Sequence, residues 1–365
     1  VGVCYWRIEN YASQIFKSHD NRDIKVHVDY FYDPRDQVAW DHICIGYGDS
    51  SENIQMRLQG AFDFFDVIIF QKIQHENGLA LISKLKADRV EAGKTNPVII
   101  AEIDDSIGDI TPSNLYYGKV GDEHRWAAEH VHMSDAVICS TEYLKKELRE
   151  IVGPCKPIYV APNCIDYDSW KVEEKEIVKI NVENTESILK KFKKRVGYVG
   201  AAGHDEDLLI AYKAMLPVLE ENKDMGFIIR YGGFKPDWLK DHPQIDFKIV
   251  GWTLDIYAQK LYNLRLHLAL APLRDTNFNR SKSNLKWLEW SSLGVQLVSS
   301  DVLPYRNTKG SMHLTTNDID EFSFAISNAI LNPIDSKTLK TENKKNYNLR
   351  TETGKLLNFI KSMVK

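Results

Sequence analysis

The sequence has no run of apolar residues approaching the roughly 20 that a membrane-spanning helix needs. Its first residues, VGVCYWRIEN, place Arg7 and Glu9 where a secretory leader would be apolar, so neither a transmembrane segment nor a signal peptide is expected. Cysteine is scarce: Cys4, Cys44, Cys139, Cys155 and Cys164 are scattered and odd in number, and no two have CxxC spacing. That pattern argues against a zinc site. It makes the cytosol the simplest compartment, with Cys139 in DAVICS a reduced core residue. An excess of positive charge is also missing, since 47 Lys and Arg face 51 Asp and Glu. A net charge of -4 argues against coating nucleic acid by bulk electrostatics, although a local basic groove is still open. No internal repeat of solenoid period appears.

What is present is an ordinary globular balance, 43% apolar and 27% charged over 365 residues, enough for two domains. The second half alternates: RVGYVGA, an apolar-periodic stretch over 205–222, FIIRYGG, IDFKIVGW, LDIYAQKLYNLR, LHLALAPL, then a helix and VQLVSS. Strands and helices taking turns read as βαβ units on a parallel sheet. In the first half VGVCYW, IKVHVDYF, HICIGYG, DVIIFQK, PVIIAEID, DAVICS and PIYVAPN are strand candidates. STEYLKKELREI is a helix capped by Ser140 or Thr141. The reading is α/β, with two Rossmann-like domains facing across a cleft. Domain one spans 1–168 and domain two 169–344, with a helix at about 345–365 that can pack back on the first. The charged segment 171–195 reads as a linker, and its KFKKR as a solvated face rather than a nucleic-acid patch.

Ligands in open parallel sheets sit beyond the carboxyl ends of the strands. There the stretch FNRSKSNLKWLEWSSLG reads as one helix starting near Ser281. Lys282, Lys286 and Glu289 then share a stripe, Leu285, Leu288 and Ser292 face inward, and Gly294 ends the helix. A surface pair between Lys286 and Glu289 is the plain reading. The helix start, however, follows a buried strand and a polar loop. Free N–H groups with Arg280 and Lys282 suit phosphate, and Ser281 and Ser283 lie in the same turn. A glutamate two turns in suits ribose hydroxyls. The competing GYVGAAGHDEDL has Gly197, Gly200 and Gly203 at spacing that is not GxGxxG. Asp205, Glu206 and Asp207 in the next helix's first turn would satisfy its N–H groups and repel a pyrophosphate, which disfavours NAD. Gly200 and Gly203 would instead let backbone approach a ligand, and His204 faces that region or packs in the turn.

In the first domain Glu102, Asp104 and Asp105 follow a strand; they could hold a metal, form a turn, or face an acceptor. His75, Arg7 and Glu9 are further candidates on that side. Trp126, Trp170, Trp287 and Trp290 read as packing residues.

VGYVGAAGHDEDL, VGW, LALAPLRDTNFNRSKSNLKWLEWSSLGVQLVSSDVLPY, VICSTEYLKKEL and IYVAPNCIDYDSW together resemble GT-B glycosyltransferases of the family 4 type. The branch most similar is bacterial and phage-encoded and has an EIDD segment. The resemblance implies a nucleotide-sugar donor bound mainly by the second domain, no essential metal and no cofactor. It implies transfer, with retention, to an acceptor hydroxyl on a glycan, a lipid-linked glycan or a modified nucleobase such as hydroxymethylated DNA. Glu289 matches the second glutamate of the E-x7-E motif, which holds the ribose, whereas the first glutamate falls at Ser281. Lys282 is similar in place to the residue that steadies the diphosphate, and Trp252 to a base-contacting turn. Asp104 or Asp105 stands where many members carry an acceptor-side histidine. Asn163 matches an Asn-Gly pair, and Cys164 departs from it. Two other classes are weighed: an NAD-dependent oxidoreductase or epimerase, and a non-catalytic nucleotide-sugar-binding module.

Overall fold

A computed structural model of the chain describes residues 7–8, 10–17, 51–73, 76–107, 121–172 and 191–364. The expected strands VGVCYW, IKVHVDYF and HICIGYG lie outside the described residues, as do Glu9, His75 and 173–190 of the charged segment. The chain divides into two compact units, passing from the first to the second between Cys164 and Ile165 and returning to the first at Leu349.

The first unit holds a parallel sheet of β1 (Val67–Gln71), β2 (Val98–Ile103), β3 (Ala136–Cys139) and β4 (Ile158–Val160), in that order. Nearly continuous apolar runs form β2 and β3 because both faces are covered, and β3 is buried throughout. Described helices here are α1 (Asn10–Lys17), α2 (Ser51–Phe64), α3 (Glu76–Glu91), α4 (Gly121–Met133) and α5 (Glu142–Val152). Thr141 caps α5 by accepting from the Leu144 amide at 3.1 Å, and Gly153 ends it at φ 75°. Cys139 is fully buried, and burial pushes its thiol up to about 12, so it stays protonated. The last helix, α13 (Leu349–Met363), belongs to this unit; it buries Leu349, Leu356 and Leu357, and Phe359 stacks on Tyr159 at 5.0 Å.

The second unit is a six-stranded parallel sheet: β5 (Lys194–Gly200), β6 (Met225–Tyr231), β7 (Ile245–Ile249), β8 (Leu268–Ala271), β9 (Gln296–Ser300) and β10 (His313–Thr315). Its helices are α6 (Asp205–Glu221), α7 (Leu254–Asn263), α8 (Asn277–Ser281), α9 (Leu285–Ser292), α10 (Leu303–Arg306), α11 (Ile319–Leu331) and α12 (Ser336–Asn346). The core packs α6 and α11 on β5, β6 and β8 through Leu208, Met215, Phe227, Leu270 and Phe322. The strand order is β10-β9-β8-β5-β6-β7. It starts in the middle at β5, runs out to β7, and crosses back to β8, the Rossmann order with its switch point between β5 and β8. KFKKR is not simply a solvated face. Phe192 is buried, Lys194 and Arg195 open β5, and Arg195 donates to the carbonyls of Arg265 (2.9 Å) and Phe192 (2.7 Å). No helix among the described residues is long and apolar enough to cross a membrane.

Candidate functional site

At the switch point β5 and β8 are neighbours in the sheet, and their chains leave in opposite directions, which opens a crevice at their carboxyl ends. The turn after β5 carries Gly200, Gly203 and His204. Gly203 has φ 91°, a left-handed backbone that favours glycine. A Cβ at Gly200 would lie 2.8 Å from the Tyr198 ring. The buried Asp207 ties this turn to the loop after β8. Its Oδ2 lies 2.8 Å from His204 Nδ1, and its Oδ1 accepts from the Arg274 amide at 2.9 Å. The Arg274 guanidinium pairs with Glu206. This corrects the expectation that the first-turn carboxylates satisfy the helix N–H groups. Those of Asp207 and Glu206 meet donors from the β8 loop instead, and His204 holds the α6 N-cap with no side-chain bond.

The single helix expected from Ser281 is two. Thr276 caps α8 by accepting from the Asn279 amide (3.1 Å), and α8 stops at Ser281, whose Oγ donates to the Phe278 carbonyl (2.7 Å). Lys282 is extended (φ −62°, ψ 159°), and α9 restarts at Leu285 with Asn284 at its N-cap. The Ser-Lys-Ser-Asn link is rich in side chains that compete for backbone groups, a physical reason for the break. The break removes Lys282 from the helical stripe of Lys286 and Glu289 and places it, with Ser283, just before the N-terminus of α9. Lys282 Nζ lies 4.6 Å from the Phe278 ring centroid. Arg280 forms a fork on Asp275, at 2.7 and 2.9 Å. The carboxamide of Asn284 makes no cap bond, so the first-turn N–H groups of α9 lack a side-chain cap from that residue. Gly294 follows α9 at φ 75°, the position and conformation expected of it.

Glu289 lies in the second turn of α9, 3% exposed. Its Oε2 accepts from Tyr257 Oη at 3.3 Å and from Lys286 Nζ at 3.3 Å. The pair with Lys286 exists, but its carboxylate is buried rather than on the surface. Burial and the neighbouring Glu289 push the Tyr257 phenol well up. The Tyr257 ring lies 6.1 Å from that of Trp252 and 5.9 Å from that of Trp170. Trp252, from the loop after β7, is thus joined to Glu289 through a tyrosine that sequence reasoning missed. Trp170, Trp287 and Trp290 are buried packing residues.

In the first unit, Asp104 and Asp105 follow β2. Burial, then the charge of Asp105, pushes the Asp104 carboxyl up to about 7. Glu102, whose charge also acts on Asp104, has donors of its own. Its Oε1 accepts from Arg7 Nε at 2.7 Å and its Oε2 from Gln71 Nε2 at 3.1 Å. Arg7 also donates to the Ala161 carbonyl and, at 3.1 Å, to Asn163 Oδ1. Among the described residues no group of three or more His, Cys, Asp or Glu side chains is arranged to hold a metal ion.

The two parallel α/β sheets are those of the GT-B fold, the architecture of a large class of glycosyltransferases. Among solved structures, HepE of Anabaena in complex with UDP and glucose superposes with a TM-score of 0.60 at 14% identity, over 85% of this chain and 80% of that one. The UDP-forming α,α-trehalose-phosphate synthase of Burkholderia vietnamiensis gives 0.60 at 13% identity, over 85% and 75%. Sucrose-phosphate synthase of Thermosynechococcus elongatus gives 0.54 at 11% identity, over 86% and 77%. At these identities the likeness is one of fold. No protein-family model matches the sequence, and no curated protein matches it.

Proposed function

We propose that the chain transfers a sugar, with retention, from a nucleotide-diphosphate sugar to an acceptor hydroxyl. The observation that carries this reading is Glu289, a carboxylate buried beyond the end of β8, on a helix whose N-terminus follows Lys282 and Ser283 directly. A helix start beside a lysine suits phosphates, and a carboxylate one turn deeper suits ribose hydroxyls. The HepE complexes with UDP and with UDP-glucose support the same class of donor.

In this reading Lys282, Arg280, Ser281, Ser283 and the α9 N–H groups take the diphosphate. Glu289 accepts from the ribose, Trp252 lies against the base, and Gly200 and Gly203 bring the β5 turn close to the donor, with His204 beside it. The departing diphosphate gains negative charge in the transition state, and Lys282 stabilises it there more than in the ground state. Oxygen of that diphosphate takes the acceptor proton on the same face, so no protein nucleophile and no metal are required. Asp104 and Asp105 take the acceptor side. The Asp104 carboxyl, pushed up to about 7 by burial and by Asp105, can hydrogen-bond the acceptor hydroxyl and orient it for the transfer. The acceptor is a hydroxyl of a glycan, a lipid-linked glycan or a modified nucleobase. The test is a thermal-shift screen of UDP-, GDP- and ADP-sugars on the wild type and on Glu289→Gln. One donor should stabilise the wild type and lose most of that effect in the variant. Absence of stabilisation by every donor would refute the assignment.

A further inference from the structure

Two donors from different helices converge on one oxygen of Glu289. Lys286 comes from the same face of α9, one turn earlier, and Tyr257 comes from α7; both meet Oε2 at 3.3 Å. We infer that Lys286 and Tyr257 are positioning residues that clamp Oε2 of Glu289 and so present Oε1, in a fixed orientation, to a ligand hydroxyl. That the hydroxyl belongs to a ribose rests on the nucleotide-sugar reading above.

The geometry separates this from an ordinary helix-surface pair. In a surface pair both heads sit in water, and the carboxylate keeps its charge without help. Here the Glu289 side chain is 4% exposed while that of Lys286 is 30% exposed. Out of bulk water, the orientation of the carboxylate is set by the donors that meet it, and acceptance by a fixed oxygen is what a sugar diol asks of it. Among the described residues, Lys286 on α9, Tyr257 on α7 and Tyr305 on α10 act on Glu289. The two phenols are held neutral, Tyr257 by burial and Glu289, Tyr305 by burial, Asp207 and Glu289. Lys286 is the cation of these three. Tyr257 is itself braced, with the rings of Trp252 and Trp170 against its own.

The experiment is calorimetric titration of the full chain with UDP at one pH near 7.5, with GDP and ADP in parallel. Wild type, Lys286→Met, Lys286→Arg and Tyr257→Phe are compared, each with its thermal midpoint. Lys286→Met should bind about tenfold more weakly than wild type with its thermal midpoint within a few degrees. Lys286→Arg, which restores the charge, should stay within about threefold of wild type. Tyr257→Phe should lose about threefold to tenfold, because the lysine remains. A Lys286→Met protein that tracks the wild type, or a Lys286→Arg protein as weak as Lys286→Met, overturns the inference and leaves the nucleotide reading standing. A wild type that binds none of the three diphosphates takes both down.

Discussion

Replacing Arg7 by methionine tests the buried ion pair of the first unit. The side chains of Arg7 and Glu102 are 2% and 1% exposed, and Nε meets Oε1 at 2.7 Å. Two other acceptors, the Ala161 carbonyl and Asn163 Oδ1, depend on the same guanidinium. Methionine fills much of the arginine stem's volume, so the cavity contribution is small. What remains is a carboxylate that keeps Gln71 as a donor but has lost its cation, and an Ala161 carbonyl that has lost its guanidinium donor. Breaking a buried ion pair from one side costs about 3–5 kcal/mol, and an orphaned buried acceptor about 1 kcal/mol or more. A net loss of about 3–5 kcal/mol is expected. Native-state hydrogen exchange of the β2 amides, Ile99 to Ile103, reports on this unit without assuming that both units unfold together. The double variant Arg7→Met with Glu102→Leu removes the uncompensated charge and should recover all but about 2 kcal/mol. A single variant within about 1 kcal/mol of wild type, or a double variant as unstable as the single, would refute the reasoning.

Three further outcomes follow from the same physics. Lys282→Ala should lower donor turnover at least about a hundredfold with the thermal midpoint within a few degrees of wild type; wild-type turnover in a radiolabelled-sugar assay would remove Lys282 from the mechanism. Asp104 has a folded-state carboxyl at about 7 against an ordinary 3.8, so its ionisation opposes folding. Stability should therefore fall as pH rises from about 4 to about 7 and level off above, whereas Asp104→Asn should lack that slope and be the more stable protein at pH 8; parallel melting curves across pH would contradict it. At Gly294, φ is 75° and an added Cβ would fall 2.0 Å from Ser336 Oγ and 2.9 Å from Lys340 Cε, so Gly294→Ala should cost about 2 kcal/mol or more in urea denaturation.

How far these features can be read from the sequence depends on how local their causes are. LHLALAP becomes β8 because an apolar run covered on both faces declares itself within its own length. Gly294 is legible for the same reason, since a helix end needs its left-handed residue in one place. The helix break at Lys282 is not legible. Ser281 to Glu289 fits a helical period, yet the turn is decided by the Thr276 cap and by side chains bonded back to backbone. The clamp on Glu289 is less legible still, because Tyr257 meets it from 32 residues away, and Arg7 meets Glu102 from 95 away. Periodicity carries no register between elements; only the strand order supplies it. Once β5 and β8 are neighbours, His204, Asp207 and Arg274 must meet, and the chain leaving β8 must carry α9 back along the sheet. Glu289 then becomes a buried acceptor because of where the sheet reverses its winding. Its burial in turn takes it out of bulk water, so the donors that meet its oxygen have to come from nearby helices, as those of Lys286 and Tyr257 do.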